Sequence, residues 1–478
     1  MQSDRSPEHQ LLQASADRMV MPDAVRNRLI KRFEPRPAAW VPSAYFAEGV
    51  PFALVIWVAG TMFKDLGYSD GSITLVVGSI GVTWSLKPLW VALLDMFKTK
   101  KYFVLASEFS MAAVLAAIGL ALQVPNHFYI VVTGLWILAF ASATHDTCVD
   151  GIYLTVLDDP RQASWIGAQD MCWNGGRIFA TAGVVGVAGL LKKAGYPTQS
   201  AWLVALGLSA LSMLVLAIYH HFALPVGSIP KRPSGVAEVA RRFGDALGDF
   251  ARKAAIARML TFVVLYRVGE SFLLVEAPLF LQASEAAGGL GLTLNQKALL
   301  DGTLSSLVSI GGGLLGGAFV ARFGLRRSLF FLALCLNVPH VCYVFLSHAA
   351  SVGVRPSLAT ILVLVSIEKF GYSFGFVGSL LYMMQQLAPG KYRMTHYAFA
   401  TALMNLALVP TQMLSGPLAD FLGYRNFFIF VLIASVPSIL AAWQAPFPVP
   451  PDEERPGHTR RVRPPRVLPH ETPHDEAA

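Results

Sequence analysis

The sequence has 478 residues, of which 54% are hydrophobic and only 14% are charged, and its net charge is +8. A soluble protein carries about 25% charged residues, so this composition argues against the two or three soluble domains that the length alone would suggest. Apolar runs long enough to cross a bilayer recur along the chain and predict an all-α polytopic membrane protein.

We predict twelve transmembrane helices from apolar runs of about 20 residues. The first run follows a polar segment, so we do not expect it to act as a cleavable signal peptide. The predicted spans cover residues 40–63, 72–94, 102–122, 128–157, 164–191, 200–223, 258–283, 296–319, 327–347, 357–387, 393–418 and 426–444.

The spans group into two predicted six-helix bundles, residues 38–226 and 258–446. The flanking segments 1–37 and 447–478 are rich in charged residues and proline, and we expect them to be disordered. The linker 227–257 contains the stretch VAEVARRFGDALGDFARKAAIARML, which predicts an amphipathic helix along the inner membrane surface.

Lysine and arginine are distributed unevenly between the two sets of loops. If the N-terminus lies inside, the inner segments hold 28 of them and the outer loops hold six. Cytoplasmic loops collect basic residues, so we expect both termini in the cytoplasm. The basic charge is then a topology signal, and we expect no nucleic-acid partner. The six outer cations are Lys64, Lys192, Lys193, Lys297, Arg355 and Arg425.

The two halves of the sequence resemble each other at an offset near 228 residues. Glu48 and Pro51 in AEGVPF are echoed by Glu276 and Pro278 in VEAPLF, and DMFKTKKYF is echoed by ARFGLRRSLF. Two parallel six-helix halves are the architecture of the major facilitator superfamily, whose substrates bind near the midplane between the halves. The stretch GGAFVARFGLRR also resembles that superfamily's loop between its second and third helices.

Several stretches of the sequence indicate a narrower family within the superfamily. YFAEGVPFALV, WSLKPLWVALLDMFKTKKY, LAFASATHDTCVDGIYL, GRIFATAGVVGVAGL and MMQQLAPGKYRMTHYAF resemble the AmpG-like muropeptide permeases, over about residues 40–443. The resemblance implies proton-driven import of N-acetylglucosaminyl-anhydromuramyl peptides across the inner membrane. AmpG itself carries a tyrosine-arginine stretch between two aspartates of its fourth helix. This chain departs from that pattern, because Asp146 and Asp150 are four apart without the arginine.

Three titratable groups lie in the fourth span. A charged side chain within a membrane span costs free energy, so such a residue is a candidate functional residue. Asp146 and Asp150 share one helix face, which favours sharing a proton, and His145 is placed to shuttle it. Glu48 lies just before Pro51, where a broken helix frees backbone carbonyls to line a cavity. We expect Asp146, Asp150, His145 and Glu48 to couple transport to protons; the alternative for each is a structural ion pair.

A second set of charged side chains suits an anionic substrate. Arg177 can hold a carboxylate or phosphate with two hydrogen bonds, or it can pair with Asp170 or a fourth-span aspartate. Arg267 and Glu270, three apart, either bind substrate or neutralise each other. We expect Glu368 and Lys369, which point about 100° apart, to serve different partners. The predicted substrate-binding residues are Arg177, Asp170, Trp173, Glu276, Arg267, Glu270, Glu368 and Lys369.

No Walker loop, nucleophile elbow or His-Glu-x-x-His metal motif is present in the sequence, so we expect neither an enzyme nor a cofactor or metal site. The four cysteines lie in apolar context and are expected to be buried thiols. The expected partners are a small anionic or sugar-peptide substrate, protons and the bilayer, with a monomer as the oligomeric state. The alternatives are an exporter of drugs or metabolites and a membrane sensor that does not transport.

Overall fold

The computed structural model describes residues 35–87, 90, 98–157, 159–226 and 236–449. Most of the predicted leader and tail, residues 227–235 of the linker and the end of the second predicted span lie outside these residues. The described part is helical throughout and contains no β-strand, as the apolar periodicity predicts.

In its described residues the N-terminal half contains six helices, which we number α1 to α6 in chain order. Helix α1 contains Pro42 and Pro51 and continues through a wide π-helical turn at Leu54–Val58. The bounds are Pro37–Asp65 for α1, Asp70–Ile80 with Val82–Leu86 for α2, Lys100–Ala121 for α3, Phe128–Val156 for α4, Asp159 to Lys193 for α5 and Thr198–Ala223 for α6.

The linker and the C-terminal half contain helices α7 to α14. Helix α7 is the predicted amphipathic helix, and its Ala246 carbonyl accepts a hydrogen bond from His396 at 3.1 Å. The bounds are Val236–Ala251 for α7, Ile256–Leu265 for α8, Val268–Gln282 for α9, Leu294–Phe323 for α10, Leu325–Ser351 for α11, Leu358–Leu387 for α12, Arg393–Ala434 for α13 and Val436–Trp443 for α14.

Nine helices in the described residues are long and apolar enough to cross a membrane. One of them, Thr395–Trp443, contains the last two predicted spans, which meet at a kink where Gly423 has φ 73°. Only glycine adopts that backbone conformation without strain, so the kink coincides with the predicted turn. The second predicted span runs into undescribed residues, and the seventh is divided between α8 and α9.

Each half packs around its own apolar core. In the N-terminal half α3 packs on α4 and α6, and α1 packs on α5; in the C-terminal half α12 packs on α10 and α11. Trp40 and Trp202 are fully buried in the first half, and Phe280 and Tyr343 in the second. The halves meet where α2 packs on α13, α5 on α10 and α1 on α9.

The hydrogen bonds described between the two halves lie at one end of the molecule. The Gly71 N–H donates to Asp420 at 2.9 Å, and the Gln282 amide donates to the Thr61 carbonyl at 3.1 Å. The Tyr424 hydroxyl donates to Asp70. These contacts close the end that the charge distribution predicts to be outside.

Candidate functional site

A cavity of about 460 Å³ lies between the two halves, with walls from α1, α2 and α5 on one side and α9, α10, α12 and α13 on the other. We call it the central cavity. Wide π-helical turns at Leu54–Val58, Phe179–Val184 and Ala298–Leu304 contribute wall residues. Such turns re-aim side chains and occur frequently at functional sites.

The wall of the central cavity carries four cations and one carboxylate. The cations are Arg177 from the first half and Arg267, Lys297 and Lys369 from the second, and the carboxylate is Asp301. Lys297 is 1% exposed and lies 3.1 Å from Asp301. The prediction that Lys297 lies in an outer loop is wrong, because α10 already begins at Leu294. The cavity therefore presents a positive surface.

Two cations of the second half, Arg267 and Lys369, have acidic partners that lie outside the cavity wall. The Arg267 Nε atom donates to Glu270 at 3.0 Å, and the guanidinium lies 4.5 Å from the Phe376 ring centroid. Lys369 lies 3.0 Å from Glu368, so the expectation of different partners for this pair is wrong. Two adjacent residues meet here because both side chains are long enough to bend toward each other. Arg267 and Lys369 thus line the cavity, while their carboxylates stand behind them.

Arg177 differs from the other three cations. It has no carboxylate partner among the described residues, and its Nε atom is buried without a hydrogen bond. Its guanidinium lies 5.6 Å from the Trp57 ring centroid, a favourable cation–π arrangement. Asp170, its predicted partner, is exposed and absent from the cavity wall, whereas the predicted Trp173 does line it. Arg177 is therefore the cation most open to an anionic ligand.

A second cavity of about 270 Å³ adjoins the first and shares walls at Phe52 and Trp84. It contains Glu48, Lys87 and Asp146, and we call these three residues the acid chamber. Lys87 forms an ion pair with Asp146. Glu48 lies within hydrogen-bonding reach of Asp146, and its other oxygen is buried without a donor. Two carboxylates bond each other only when one carries a proton, so the chamber is built to hold one.

The other two predicted coupling residues lie outside the chamber wall. Asp150 accepts a hydrogen bond from the Tyr45 hydroxyl at 2.8 Å, one turn along α4 from Asp146. His145 lies 3.0 Å from Glu108, which also lies 2.6 Å from His220 on α6. These last three side chains are fully buried and join α3, α4 and α6. The sequence signal for this cluster was a histidine within an apolar span, but nothing in the sequence pairs His220 with Glu108.

Glu276 does not lie in the wall of the central cavity, contrary to its predicted role in binding substrate. It lies within two turns of the last residue of α9, fully buried near Asp70. Glu48 lies in the first half of α1. The sequence match between AEGVPF and VEAPLF therefore does not correspond to equivalent positions in the two halves, because Glu48 and Glu276 lie at different distances from the ends of their helices.

Two helical halves around a polar cavity that is closed at one end define a membrane transporter. The profile of the Major Facilitator Superfamily matches residues 43–407, and the chain belongs to this family. It is therefore a transporter rather than an enzyme.

The comparisons with individual proteins agree with this family. The chain is 22% identical to the Rickettsia conorii protein "Putative transporter AmpG 4" over 410 residues, covering 82% of this chain and 92% of that protein. It is 23% identical to the anhydromuropeptide permease of Escherichia coli K12 over 410 residues, covering 83% and 77%. Its fold is similar to a crystal structure of a mutant nucleoside transporter, NupG, with TM-score 0.66 at 14% identity, covering 84% and 98%.

Proposed function

We propose that this protein takes up an anionic sugar-peptide solute of the muropeptide class across the inner membrane, coupled to protons, with both termini in the cytoplasm. The observation that carries the proposal is the charge of the central cavity, where Arg177 has no carboxylate partner among the described residues while the other three cations are paired. An anionic solute would compensate this unpaired charge. The similarity to a permease named for anhydromuropeptides supports the substrate class.

Recognition of the anion rests first on Arg177. The Nε atom of Arg177 is buried without an acceptor, which is costly, so a carboxylate of the solute gains more by binding this guanidinium than an exposed arginine. The planar guanidinium also holds a carboxylate with two parallel hydrogen bonds. Arg267 and Lys369 stand on the opposite half, so a solute with separated negative groups can contact both halves at once.

Aromatic side chains supply the apolar part of the binding surface. Trp57, Trp84 and Trp173 come from the first half, and Tyr372 and Phe376 from the second. Aromatic rings offer flat apolar faces that pack against the C–H faces of sugar rings, while the tryptophan N–H and the tyrosine hydroxyl can still form hydrogen bonds. A cavity with cationic and aromatic walls fits a sugar joined to a peptide carboxylate.

Coupling rests on the acid chamber. Glu48 and Asp146 share a proton, and Lys87 balances the remaining negative charge. The chamber shares Phe52, Trp84 and other wall residues with the central cavity, so bound solute and bound proton lie close together. Proton loss from the chamber leaves a second buried negative charge beside the solute, which favours release of both on the same side.

The test uses purified protein in liposomes with a labelled anhydromuropeptide and an imposed pH gradient, acidic outside. We expect accumulation that an uncoupler abolishes. Arg177→Gln should lower uptake of the anionic solute far more than uptake of its fully amidated analogue, and Arg177→Lys should lower it by less. Arg355→Gln, which removes an exposed arginine paired with Glu285, is the matched control and should transport normally.

Three results would contradict the proposal. Equal losses for the anionic and amidated solutes would return Arg177 to a structural role. Expulsion of the solute by the same gradient would identify an exporter. Binding without movement of solute or of exchangeable label would indicate a sensor.

A further inference from the structure

A second buried group of carboxylates lies at the closed end of the molecule, outside the central cavity. We call Lys64, Asp70, Glu276 and Tyr424 the outer cluster. Lys64 pairs with Asp70 and lies 3.3 Å from the Tyr424 hydroxyl, which donates to Asp70. Glu276, Asp70 and Tyr424 are at most 9% exposed. Two buried carboxylates therefore meet one lysine.

Glu276 is the member without a donor. It is 0% exposed, and neither carboxylate oxygen has a hydrogen-bond donor among the described residues. It lies within hydrogen-bonding reach of Asp70, whose own oxygens are engaged by Lys64 and Tyr424. Burial without a hydrogen-bond donor strongly disfavours the ionised form of the Glu276 carboxylate. Glu276 and Asp70 can form a hydrogen bond only if one of them carries a proton.

The charged groups nearest Glu276 lie on α1, α2 and α13, whereas Lys297 of α10, which also contacts α9, donates to the Pro278 carbonyl and pairs with Asp301. Lys64 is on α1, Asp70 begins α2, and Asp420 and Tyr424 are on α13. Asp420 lies exposed at the rim, where its carboxylate accepts from the Gly71 N–H. Lys64 is thus the one cation facing the cluster in the described residues, and it does not balance two buried carboxylates.

The cluster spans the interface between the halves. Lys64 and Asp70 belong to the first half, whereas Glu276 and Tyr424 belong to the second. Opening this end separates Glu276 from Asp70 and admits water to both, and hydrated carboxylates release their protons. The closed form therefore binds one proton more than the open form at this place, and by linkage a higher proton concentration favours closure.

We propose that the outer cluster is a proton latch, in which one proton shared by Glu276 and Asp70 holds this end of the transporter closed and its loss lets the halves part. The latch needs neither a particular solute nor coupling at the acid chamber. The name of the outer cluster follows the proposed orientation of the protein in the membrane, whereas the latch would work in either orientation. Because Glu276 is not in the cavity wall, the latch proton is distinct from the proton of the acid chamber.

The backbone amide of Gly71 reports closure directly. It stands in the first turn of α2, where the helix offers no acceptor, and it donates to Asp420 of the other half. Its hydrogen exchange, measured by mass spectrometry on the full protein without solute, should therefore quicken when this end opens. Comparison of a variant with wild type at one pH cancels the intrinsic pH dependence of exchange.

Glu276→Gln removes the titrating group but keeps a donor for Asp70. Between pH 6 and pH 9 we expect the wild-type Gly71 amide to lose protection, relative to its intrinsic rate, while the variant keeps it. At pH 9 the variant should exchange at least tenfold more slowly than wild type. Glu285→Gln, an exposed acid on the same outer face, is the matched control and should follow wild type.

The wild-type titration tests the latch even if the variant does not fold. Protection that stays constant or rises with pH in the wild type would overturn the proposal, as would equal pH responses in wild type and Glu276→Gln. A third arm replaces potassium by sodium at pH 9. Protection restored by sodium would show that a metal cation, not a proton, closes the cluster. Because no solute is present, none of these results depends on the proposed substrate.

Discussion

The acid chamber and the outer cluster both contain two carboxylates and one lysine, but they occupy different positions in the molecule. Each holds two carboxylates within hydrogen-bonding reach of one another and one lysine that pairs with one of them. The chamber adjoins the central cavity, whereas the cluster is enclosed between packed helices. The chamber is formed by Glu48, Asp146 and Lys87, and the carboxylates and lysine of the cluster are Glu276, Asp70 and Lys64.

The position relative to the interface determines what a shared proton can do. The three charged residues of the chamber all belong to the first half, although α13 of the second half also lines their cavity, so a rocking motion of the halves moves the three residues together and only changes which solution they face. The cluster lies across both halves, so the same motion must break it. A proton in the chamber can therefore travel with the solute, while a proton in the cluster can only report and stabilise closure.

The largest expected effect comes from removing titration at the chamber. Glu48→Gln and Asp146→Asn should each abolish accumulation driven by a pH gradient, because no proton is then carried. Exchange of labelled for unlabelled solute should persist, since exchange needs only the loaded transporter to rock. Measurement of both activities in the same liposomes separates coupling from folding.

Two variants sharpen this test. Asp150→Asn keeps an acceptor for Tyr45 and lies outside the chamber wall, so it should reduce accumulation less than Asp146→Asn does. Asp170→Asn, at an exposed acid on α5, is the control and should behave as wild type. Normal accumulation by both Glu48→Gln and Asp146→Asn would remove the chamber from the mechanism.

A smaller effect is expected from glycine-to-alanine variants, which distinguish close contacts within one half from close contacts between the halves. A Cβ atom on Gly416 would lie 2.3 Å from the carbonyl oxygen of Asp70 in the other half. Gly416→Ala should therefore hinder closure of the outer end, speeding exchange of the Gly71 amide and slowing transport, with little change in melting temperature.

Gly49→Ala is the matched variant inside one half. Its Cβ would lie 2.2 Å from the Trp173 carbonyl oxygen on α5, so the first half itself must distort. Overpacking of this kind costs about 1–3 kcal/mol and should appear as a lower melting temperature in detergent. An unchanged melting temperature for Gly49→Ala, or a large drop for Gly416→Ala, would contradict the distinction.

The buried cluster of Glu108, His145 and His220 should contribute stability rather than coupling. Glu108→Ala leaves both histidines without their shared acceptor, and loss of one partner from a buried charged network costs about 3–5 kcal/mol. We expect a lower melting temperature, while the folded fraction still accumulates solute. Loss of accumulation at normal stability would instead place this cluster in the proton path.

The smallest effect is expected for the exposed pair of Arg355 and Glu285. Their side chains are 73% and 55% exposed, and exposed pairs of this kind contribute about 0–1 kcal/mol. Arg355→Gln should leave melting temperature, transport and Gly71 exchange unchanged. A shift of Gly71 protection in this variant would mean that general surface charge, rather than the outer cluster, controls closure.

The sequence by itself determined the class of this protein. Hydrophobic runs are properties of local segments, and the helices of the described part follow them closely. The embedded charges were also visible, because any charge in an apolar span is conspicuous. Glu48, Asp146 and Arg177 were predicted as candidate site residues in this way.

The tertiary structure decided which of these groups meet. Glu276 was expected at the substrate, but the depth of α9 places it against Asp70, and Lys297 moves from a predicted loop into the cavity. His220 finds Glu108 across 112 positions of sequence. Such pairings depend on how each helix is rotated and how deeply it is inserted, and a one-residue change alters both by about 100° and 1.5 Å. Hydropathy does not determine the rotation or the insertion depth of a helix to that accuracy. The partners of buried charges are therefore known only from the packed structure.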